Sequence, residues 1–171
     1  MKTRIEITRE DITKLKVDAI VNAANSRLAG GGGVDGAIHK AAGPQLHEAC
    51  MKLNGCPTGS SKITDGFKLP AKYIIHTVGP VWRGGNSGES DLLRGCYISS
   101  LLLATEYNIS TIAFPNISTG IYGYPKDQAA AIAIEAVSDY LKKENNIEVV
   151  YFACFDDANF KIYSEILDPV S

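Results

Sequence analysis

The chain has 171 residues, of which 45% are hydrophobic and 21% are charged, and its formal net charge is −2. This length and composition are typical of one globular domain with a sizeable core. The near-neutral charge argues against unspecific binding to nucleic acid, which needs many phosphate contacts. No apolar run approaches the roughly 20 residues that span a bilayer, so we expect no membrane segment.

Compartment and metal content are predicted from the first residues and the cysteines. Residues 1–5 lead directly into strand-like sequence and lack the apolar centre of a signal peptide, which indicates a cytoplasmic protein. The cysteines Cys50, Cys56, Cys96 and Cys154 form no Cys-x-x-Cys pair. We therefore expect reduced thiols, no metal site and no cofactor.

Short apolar runs alternate along the chain with runs of helical spacing. The predicted strands are residues 5–8, Ala19–Ala23, 62–64, 73–78, Thr111–Phe114 and 149–154. The predicted helices begin near Asp35, at Pro44 and after a Ser90 cap, and two more carry Ala130, Ile134, Val137 and Leu141, and Phe160, Tyr163 and Leu167. This alternation indicates an α/β sandwich around a largely parallel sheet, and the continuously apolar strands predict helices on both faces.

Ligands of such sheets bind where loops leave the carboxyl ends of the strands. Polar residues follow three predicted strands, in segments 22–33, 116–124 and 155–157. We therefore expect three loops to converge on one cleft.

Four consecutive glycines, Gly30, Gly31, Gly32 and Gly33, stand between the second strand and the next helix. A tight strand-to-helix turn would account for them. The alternative is a diphosphate cradle, because side-chain-free backbone at a helix N-terminus can direct several N–H groups at an anion. The run lacks the Gly-Lys-Ser/Thr ending of a Walker motif.

A second glycine- and hydroxyl-rich loop follows the strand Thr111–Phe114. Ser118, Thr119 and the backbone at Gly120 are candidates to close over the phosphates from the other side, and Tyr122 to pack against a sugar. A simple turn before the next helix is the alternative. Two such loops on neighbouring strand ends favour a diphosphate ligand more than either does alone.

Asp35 and His39 lie four residues apart at a helix start and share one face. Asp35 is either an N-cap or an acid/base group in the cleft. His39 is either a packed helix residue or a functional one. His76, within an apolar strand, is interpreted as structural, and His47 as a solvated helix residue.

Two further candidates concern a nucleobase. Asp11 is a candidate to accept a hydrogen bond from an adenine amino group, with Ile12 donating through its backbone, and the alternative is a capping turn at Asp11-Ile12-Thr13. Phe155, after the last strand, offers an aromatic face to a base or is a core aromatic.

Together these segments resemble a macrodomain over nearly the whole chain. The residues that carry the resemblance are Asp11-Ile12-Thr13, Val21-Asn22-Ala23-Ala24-Asn25, and segments 30–44, 69–80, 114–125 and 156–160. The hydrolase branch with MacroD-type proteins and bacterial O-acetyl-ADP-ribose deacetylases is the most similar. The resemblance implies one macrodomain over residues 1–171, folded as a three-layer α/β/α sandwich with a mixed, roughly six-stranded sheet.

The resemblance also assigns roles around ADP-ribose. It implies that Asp11 holds the adenine amino group, and that Gly30 to Gly33 with Val34, and Ser118 to Tyr122 including Ile121, wrap the diphosphate and distal ribose. Asn25 is similar to the residue that binds the distal ribose, Asp35 to the group that activates water, and His39 to its supporting neighbour. Glu10 departs from the family, which commonly has glycine there.

Two functions are compatible with these residues. The first is hydrolysis of ADP-ribose esters, either O-acetyl-ADP-ribose or mono-ADP-ribose on acidic side chains of proteins, by Asp-assisted attack of water. The second is a non-catalytic module that binds ADP-ribose. The pair Asn25 and Asp35 favours hydrolysis.

Overall fold

The computed structural model describes residues 4–144 and 146–167, so the first three and last four residues of the predicted domain lie outside it. The strands are β1 Arg4–Thr8, β2 Ala19–Ala23, β3 Ser61–Asp65, β4 Tyr73–Thr77, β5 Thr111–Phe114 and β6 Val149–Ala153. The helices are α1 Gly33–Ala42, α2 Pro44–Met51, α3 Glu89–Glu106, α4 Lys126–Leu141 and α5 Asp157–Leu167, with a 3₁₀ turn at Ile12–Lys14. All predicted strands are confirmed within two residues.

One six-stranded sheet has the order β1-β6-β5-β2-β4-β3. All neighbours are parallel except the edge strand β3, which pairs antiparallel with β4. One buried cluster joins the sheet to α3, α4 and α5, and a second joins the opposite face to α1 and α2. The predicted three-layer α/β/α sandwich with a mixed sheet is confirmed.

Local sequence predicted the buried face of helix α3 correctly but not its N-terminal cap. Its predicted apolar face of Leu93, Cys96, Tyr97, Leu101 and Ala104 is fully buried. The predicted Ser90 cap is wrong, because the helix begins at Glu89 and Gly88 occupies the N-cap in a left-handed conformation. The Glu89 side chain, rather than a Ser90 hydroxyl, binds the backbone N–H groups of the preceding loop.

The topology opens a crevice between β2 and β5. The chain leaves β2 toward α1 on one face of the sheet and leaves β5 toward α4 on the other. Loops of neighbouring parallel strands that depart to opposite faces leave a gap at the carboxyl edge, which is where ligands bind in such folds.

No helix among residues 4–144 and 146–167 is long and apolar enough to cross a membrane.

Candidate functional site

A cavity of about 740 Å³ lies at this crevice, within the range typical of small-molecule sites. It is lined by residues from the carboxyl ends of β1, β2, β5 and β6, so the predicted convergence of loops is observed. The predicted site residues that line it are Asp11, Ile12, Asn25, Gly31, Gly32, Gly33, Val34, Asp35, Ser118, Thr119, Gly120, Ile121, Tyr122 and Phe155. Gly30 and His39 lie instead beside a shallower groove behind the glycine loop.

The glycine loop ends in the N-terminus of α1. Gly32 is the N-cap in an extended conformation, and Gly33 begins the helix with φ of +58°. The first-turn N–H groups of a helix have no intrahelical acceptors, and the helix dipole favours anions there. Gly36 lets the loop fold back, because a Cβ at this position would overlap the carbonyl oxygen of Gly31. The loop is therefore a tight turn that ends in a helix start whose free N–H groups suit an anion.

Asp35 lies in the first turn of α1, and only 6% of its surface is exposed. The N-cap alternative is therefore wrong. Its Oδ1 accepts a hydrogen bond of 2.9 Å from Asn22 Nδ2, and His39 Nε2 lies 3.4 Å from the same oxygen. A Cβ on Gly31 would lie 3.5 Å from Oδ2, and both residues line the cavity.

The environment of this carboxyl acts on its pKa in two directions. Burial raises the pKa of Asp35 above its ordinary value, while the hydrogen bond from Asn22 and the neighbouring His39 lower it in part. A carboxyl with a raised pKa in the wall of a cavity suits a general base.

Asn25 holds the glycine loop closed. Its Nδ2 donates to Gly30 O at 2.9 Å, and its Oδ1 accepts from Ala29 N at 3.1 Å. One of the two Nδ2 hydrogens is used in this way, which leaves the other for a ligand. Asn25 therefore fixes the glycine loop as well as lining the cavity.

The second loop is held by its own backbone. Ser118 is buried with φ of +66°, and its carbonyl accepts from Tyr124 N at 2.9 Å. Its side chain packs directly on Gly79, where any Cβ would collide with it. The tip carries Ile121, which is 95% exposed above the cavity.

A buried carboxylate anchors the neighbouring loop. Glu89 accepts backbone N–H groups of Arg83 at 2.8 Å, Gly85 at 2.9 Å and Ser87 at 2.6 Å. Burial alone would raise the pKa of Glu89, but these donors lower it to about 2. Trp82 N in turn donates to Tyr122 O at 2.8 Å, which connects this anchored segment to the second cavity loop.

The opposite end of the cavity carries Asp11 and Phe155. Asp11 Oδ1 accepts from Thr13 Oγ1 at 2.8 Å and from Thr13 N at 3.0 Å, and these bonds lower the pKa of Asp11. Asp11 thus caps its turn, as one alternative held, and also lines the cavity. Phe155 is 79% exposed, so the core-aromatic alternative is wrong.

Sequence reasoning missed two residues that position this end. Arg9 donates from its guanidinium to Cys154 O at 3.0 Å and to Phe155 O. Asn116 Oδ1 accepts from Phe155 N at 2.9 Å. Arg9 and Asn116 each closely follow a parallel strand, which was the available signal.

The burial of the other two histidines is as expected from the sequence. His76 is fully buried within β4, and His47 is exposed on α2. Within residues 4–144 and 146–167, no group of three or more His, Cys, Asp or Glu is placed to hold a metal ion.

Comparison with known proteins identifies this architecture. The sequence model of the Macro domain family matches residues 21–133. A macro domain-containing protein of Chlorobaculum tepidum is 61% identical over 95% of both chains. The O-acetyl-ADP-ribose deacetylase of Escherichia coli K12 is 53% identical over 98% of this chain and 97% of its own.

Solved structures agree. An Oceanobacillus iheyensis macrodomain with ADP superposes with a TM-score of 0.92 at 45% identity, covering 96% of this chain and 90% of that one. A Trypanosoma brucei macrodomain in complex with ADP-ribose gives 0.91 at 44% identity, covering 96% and 69% of the two chains.

Proposed function

The chain belongs to the macro domain family, and on that premise we propose that it hydrolyses ADP-ribose esters, with O-acetyl-ADP-ribose as substrate. The observation that carries this proposal is the pair Asn25 and Asp35: both line the cavity, and Asn25 Nδ2 and Asp35 Oδ2 lie within 4 Å of the point where a side chain on Gly31 would begin. A cavity that only binds a diphosphate has no need of a buried carboxylate in its wall.

The ligand would lie along the cavity from Asp11 to Asp35. Asp11 and Phe155 would receive the adenine, and the α1 N-terminus and the loop at Ser118 would enclose the diphosphate. The distal ribose would then reach Asn25 and Asp35. A similar ligand is bound by the Trypanosoma brucei macrodomain.

The chemical step is attack of water on the ester carbonyl. Asp35 Oδ2 accepts a proton from water as the water oxygen bonds to the acyl carbon. The bond from that carbon to the ribose oxygen then breaks, and the ribose oxygen takes up the proton from Asp35, which regenerates the carboxylate. The products are ADP-ribose and acetate. General-base assistance contributes roughly 10²–10⁴-fold, and alignment of the water adds to it.

The same step would release mono-ADP-ribose from protein Asp or Glu side chains, because that linkage is also an ester of the distal ribose. We propose these modified proteins as partners, and we propose that residues 1–171 act as one macrodomain.

The experiment is hydrolysis of O-acetyl-ADP-ribose by wild type and Asp35→Ala, with ADP-ribose affinity measured by calorimetry. We expect turnover to fall about 10²-fold or more while binding is retained, because Asp35 acts on water rather than on the diphosphate. Undiminished turnover in Asp35→Ala would refute the role of Asp35. Intact substrate after hours with stoichiometric wild type would favour the non-catalytic module.

A further inference from the structure

A row of buried polar side chains runs behind Asp35, on the sheet face covered by α1 and α2. Asn22 on β2 is paired in register with His76 on β4, and both are fully buried. Asn22 Nδ2 lies 2.9 Å from Asp35 Oδ1 and 3.2 Å from His76 Nδ1. His76 Nε2 lies 3.0 Å from Thr64 Oγ1 on β3.

The hydrogens in this row can be assigned by counting donors. An amide nitrogen has two N–H groups and no acceptor, so Asn22 donates one to Asp35 and one to His76. His76 Nδ1 must then be unprotonated, and the ring proton is on Nε2. Nε2–H donates to Thr64 Oγ1, whose hydroxyl donates onward to Asp65 O at 3.1 Å.

One side-chain atom of Asn22 has no hydrogen-bond partner among the described residues in this arrangement. This atom is Oδ1, which is buried. The amide group has nearly the same shape when flipped, so its partners decide its orientation. A flipped Asn22 would pair Oδ1 with His76 if Nδ1 carried the proton, and would then turn Oδ1 toward the Asp35 carboxylate.

We propose that His76 is a positioning residue for hydrolysis: its bare Nδ1 fixes Asn22 with the amide nitrogen toward Asp35 and so keeps that carboxylate ready to accept a proton. The inference rests on the proposed role of Asp35 as base. His76 does not line the cavity, so it acts only through Asn22.

The surroundings favour the neutral ring that this role requires. Burial lowers the pKa of His76 to about 3, and His39 lowers it further. Cys50 of α2 lies 3.8 Å from Nε2, and burial raises the pKa of its thiol to about 11. Lys62 of β3 is paired in register with His76, but its ammonium donates to Leu53 O at 2.6 Å.

Within the described residues, the groups that act on Asp35 come from three elements. Its neighbours are His39 on its own helix, Asn22 on β2 and, at longer range, Cys50 on α2. With Cys50 held as a thiol, Asn22 and His39 are the groups that stabilise the carboxylate.

The first test is the proton position in the wild-type protein. Nitrogen-15 NMR of ¹⁵N-labelled protein without ligand distinguishes the two neutral forms of a histidine ring. We expect His76 to carry its proton on Nε2 between pH 5 and 8. A proton on Nδ1 would overturn the proposal. In Thr64→Val, which removes the acceptor of Nε2–H, we expect part of the population to move to Nδ1.

The second test compares His76→Asn with His76→Gln. Asparagine places an acceptor near the position of Nδ1, and glutamine places its amide near the position of Nε2, so only His76→Asn keeps a partner for Asn22. We expect His76→Gln to lower turnover about tenfold on the acidic side of the pH profile. Without its partner at Nδ1, Asn22 is no longer held with its amide nitrogen toward Asp35, and the charged carboxylate loses a hydrogen bond. Its ADP-ribose affinity and its turnover on the alkaline plateau should match those of His76→Asn.

A third readout separates this proposal from the proposed function. Carbon-13 NMR follows the titration of the Asp35 carboxyl without any substrate. We expect its midpoint to move upward in His76→Gln and to stay near wild type in His76→Asn. Equal movement in both variants would refute positioning through Asn22. The expected shifts in a protein that does not hydrolyse O-acetyl-ADP-ribose would refute only the proposed function.

Discussion

At the scale of single residues, one side-chain type has opposite properties at the two ends of the cavity. Asp11 is exposed, and hydrogen bonds from Thr13 lower its pKa. Asp35 is buried, and burial raises its pKa despite the bond from Asn22. A carboxylate with a lowered pKa stays charged and suits recognition of a donor such as an amino group, whereas a carboxyl with a raised pKa suits proton transfer.

This contrast gives a stability prediction for Asp35→Asn. Because folding raises the pKa of Asp35, its ionisation at higher pH costs stability, and a neutral isostere removes that cost. Asparagine still offers Asn22 an acceptor oxygen. We expect the melting temperature at pH 8 to rise by about 2–4 °C, the change that about 1 kcal/mol produces in a chain of this size, while ester turnover is lost.

Asp11→Asn is the matched control. Folding lowers the pKa of Asp11, so its charge is favourable in the folded state, and we expect calorimetry to show no gain in melting temperature. A lower melting temperature for Asp35→Asn would mean that the charge at the start of α1 is net stabilising.

At the scale of elements, the site depends on glycines with different tasks. A side chain at Gly36 would collide with the carbonyl of Gly31, so this glycine is needed for the fold of the loop on α1. A Cβ at Gly32 would meet no atom within 4 Å, and its φ of −95° is open to any residue. Gly32 lines the cavity, so its missing side chain leaves room for a ligand rather than for the protein.

We therefore predict different outcomes for Gly32→Ala and Gly36→Ala. Gly32→Ala should keep its melting temperature and lose ADP-ribose affinity by about tenfold or more, because its methyl group occupies the space of the diphosphate. Gly36→Ala should lose both affinity and several degrees of melting temperature, since overlap with backbone costs roughly 1–3 kcal/mol. Calorimetry and thermal unfolding measure both quantities. Unchanged affinity in Gly32→Ala would place the diphosphate elsewhere.

At the scale of the whole molecule, the parallel sheet both forms the site and buries its supports. The same β2 and β4 that deliver Asn22 to Asp35 enclose His76 completely. A histidine whose pKa falls from 6.5 to about 3 must remain neutral in the folded chain, whereas the unfolded chain gains a proton below pH 6.5. Burial of His76 therefore links the global stability to pH.

Stability should fall as the pH decreases from 6.5 to 4.5. His76 contributes up to about 1.4 kcal/mol per pH unit in this interval, because only the unfolded state binds its proton. Asp35 acts in the opposite direction, because its raised pKa lets the folded state bind a proton before the unfolded state does. The stability that ionised Glu89 contributes is lost only below the ordinary pKa of a glutamate. Urea unfolding at several pH values measures the slope. His76→Asn should flatten it, and an equal slope in that variant would contradict the assignment.

Most of the elements were determined by local sequence. The buried strand at Thr111–Phe114 was predicted with its observed bounds, and the start of α2 at Pro44 was also correct. The apolar runs of the central strands and the helical spacing in α3 impose these structures wherever the chain lies. The cap of α3 was not predictable in this way. Gly88 is the N-cap instead of Ser90, and the Glu89 side chain binds N–H groups of the preceding loop that converge only in three dimensions.

The sequence by itself determined the α/β class and the loops that would meet at one cleft, because strand ends and glycines are local features. Only the tertiary structure decided what each polar residue does there. Asp35 lies two residues after Gly33 in the first turn of a helix, a position that resembles a cap, yet contact with β2 buries it against Asn22. Asn22 bonds to Asp35, which is 13 residues away in the sequence, and to His76, which is 54 residues away. No local sequence pattern encodes contacts between residues so far apart, so the pKa of Asp35 and its link to His76 could not be predicted.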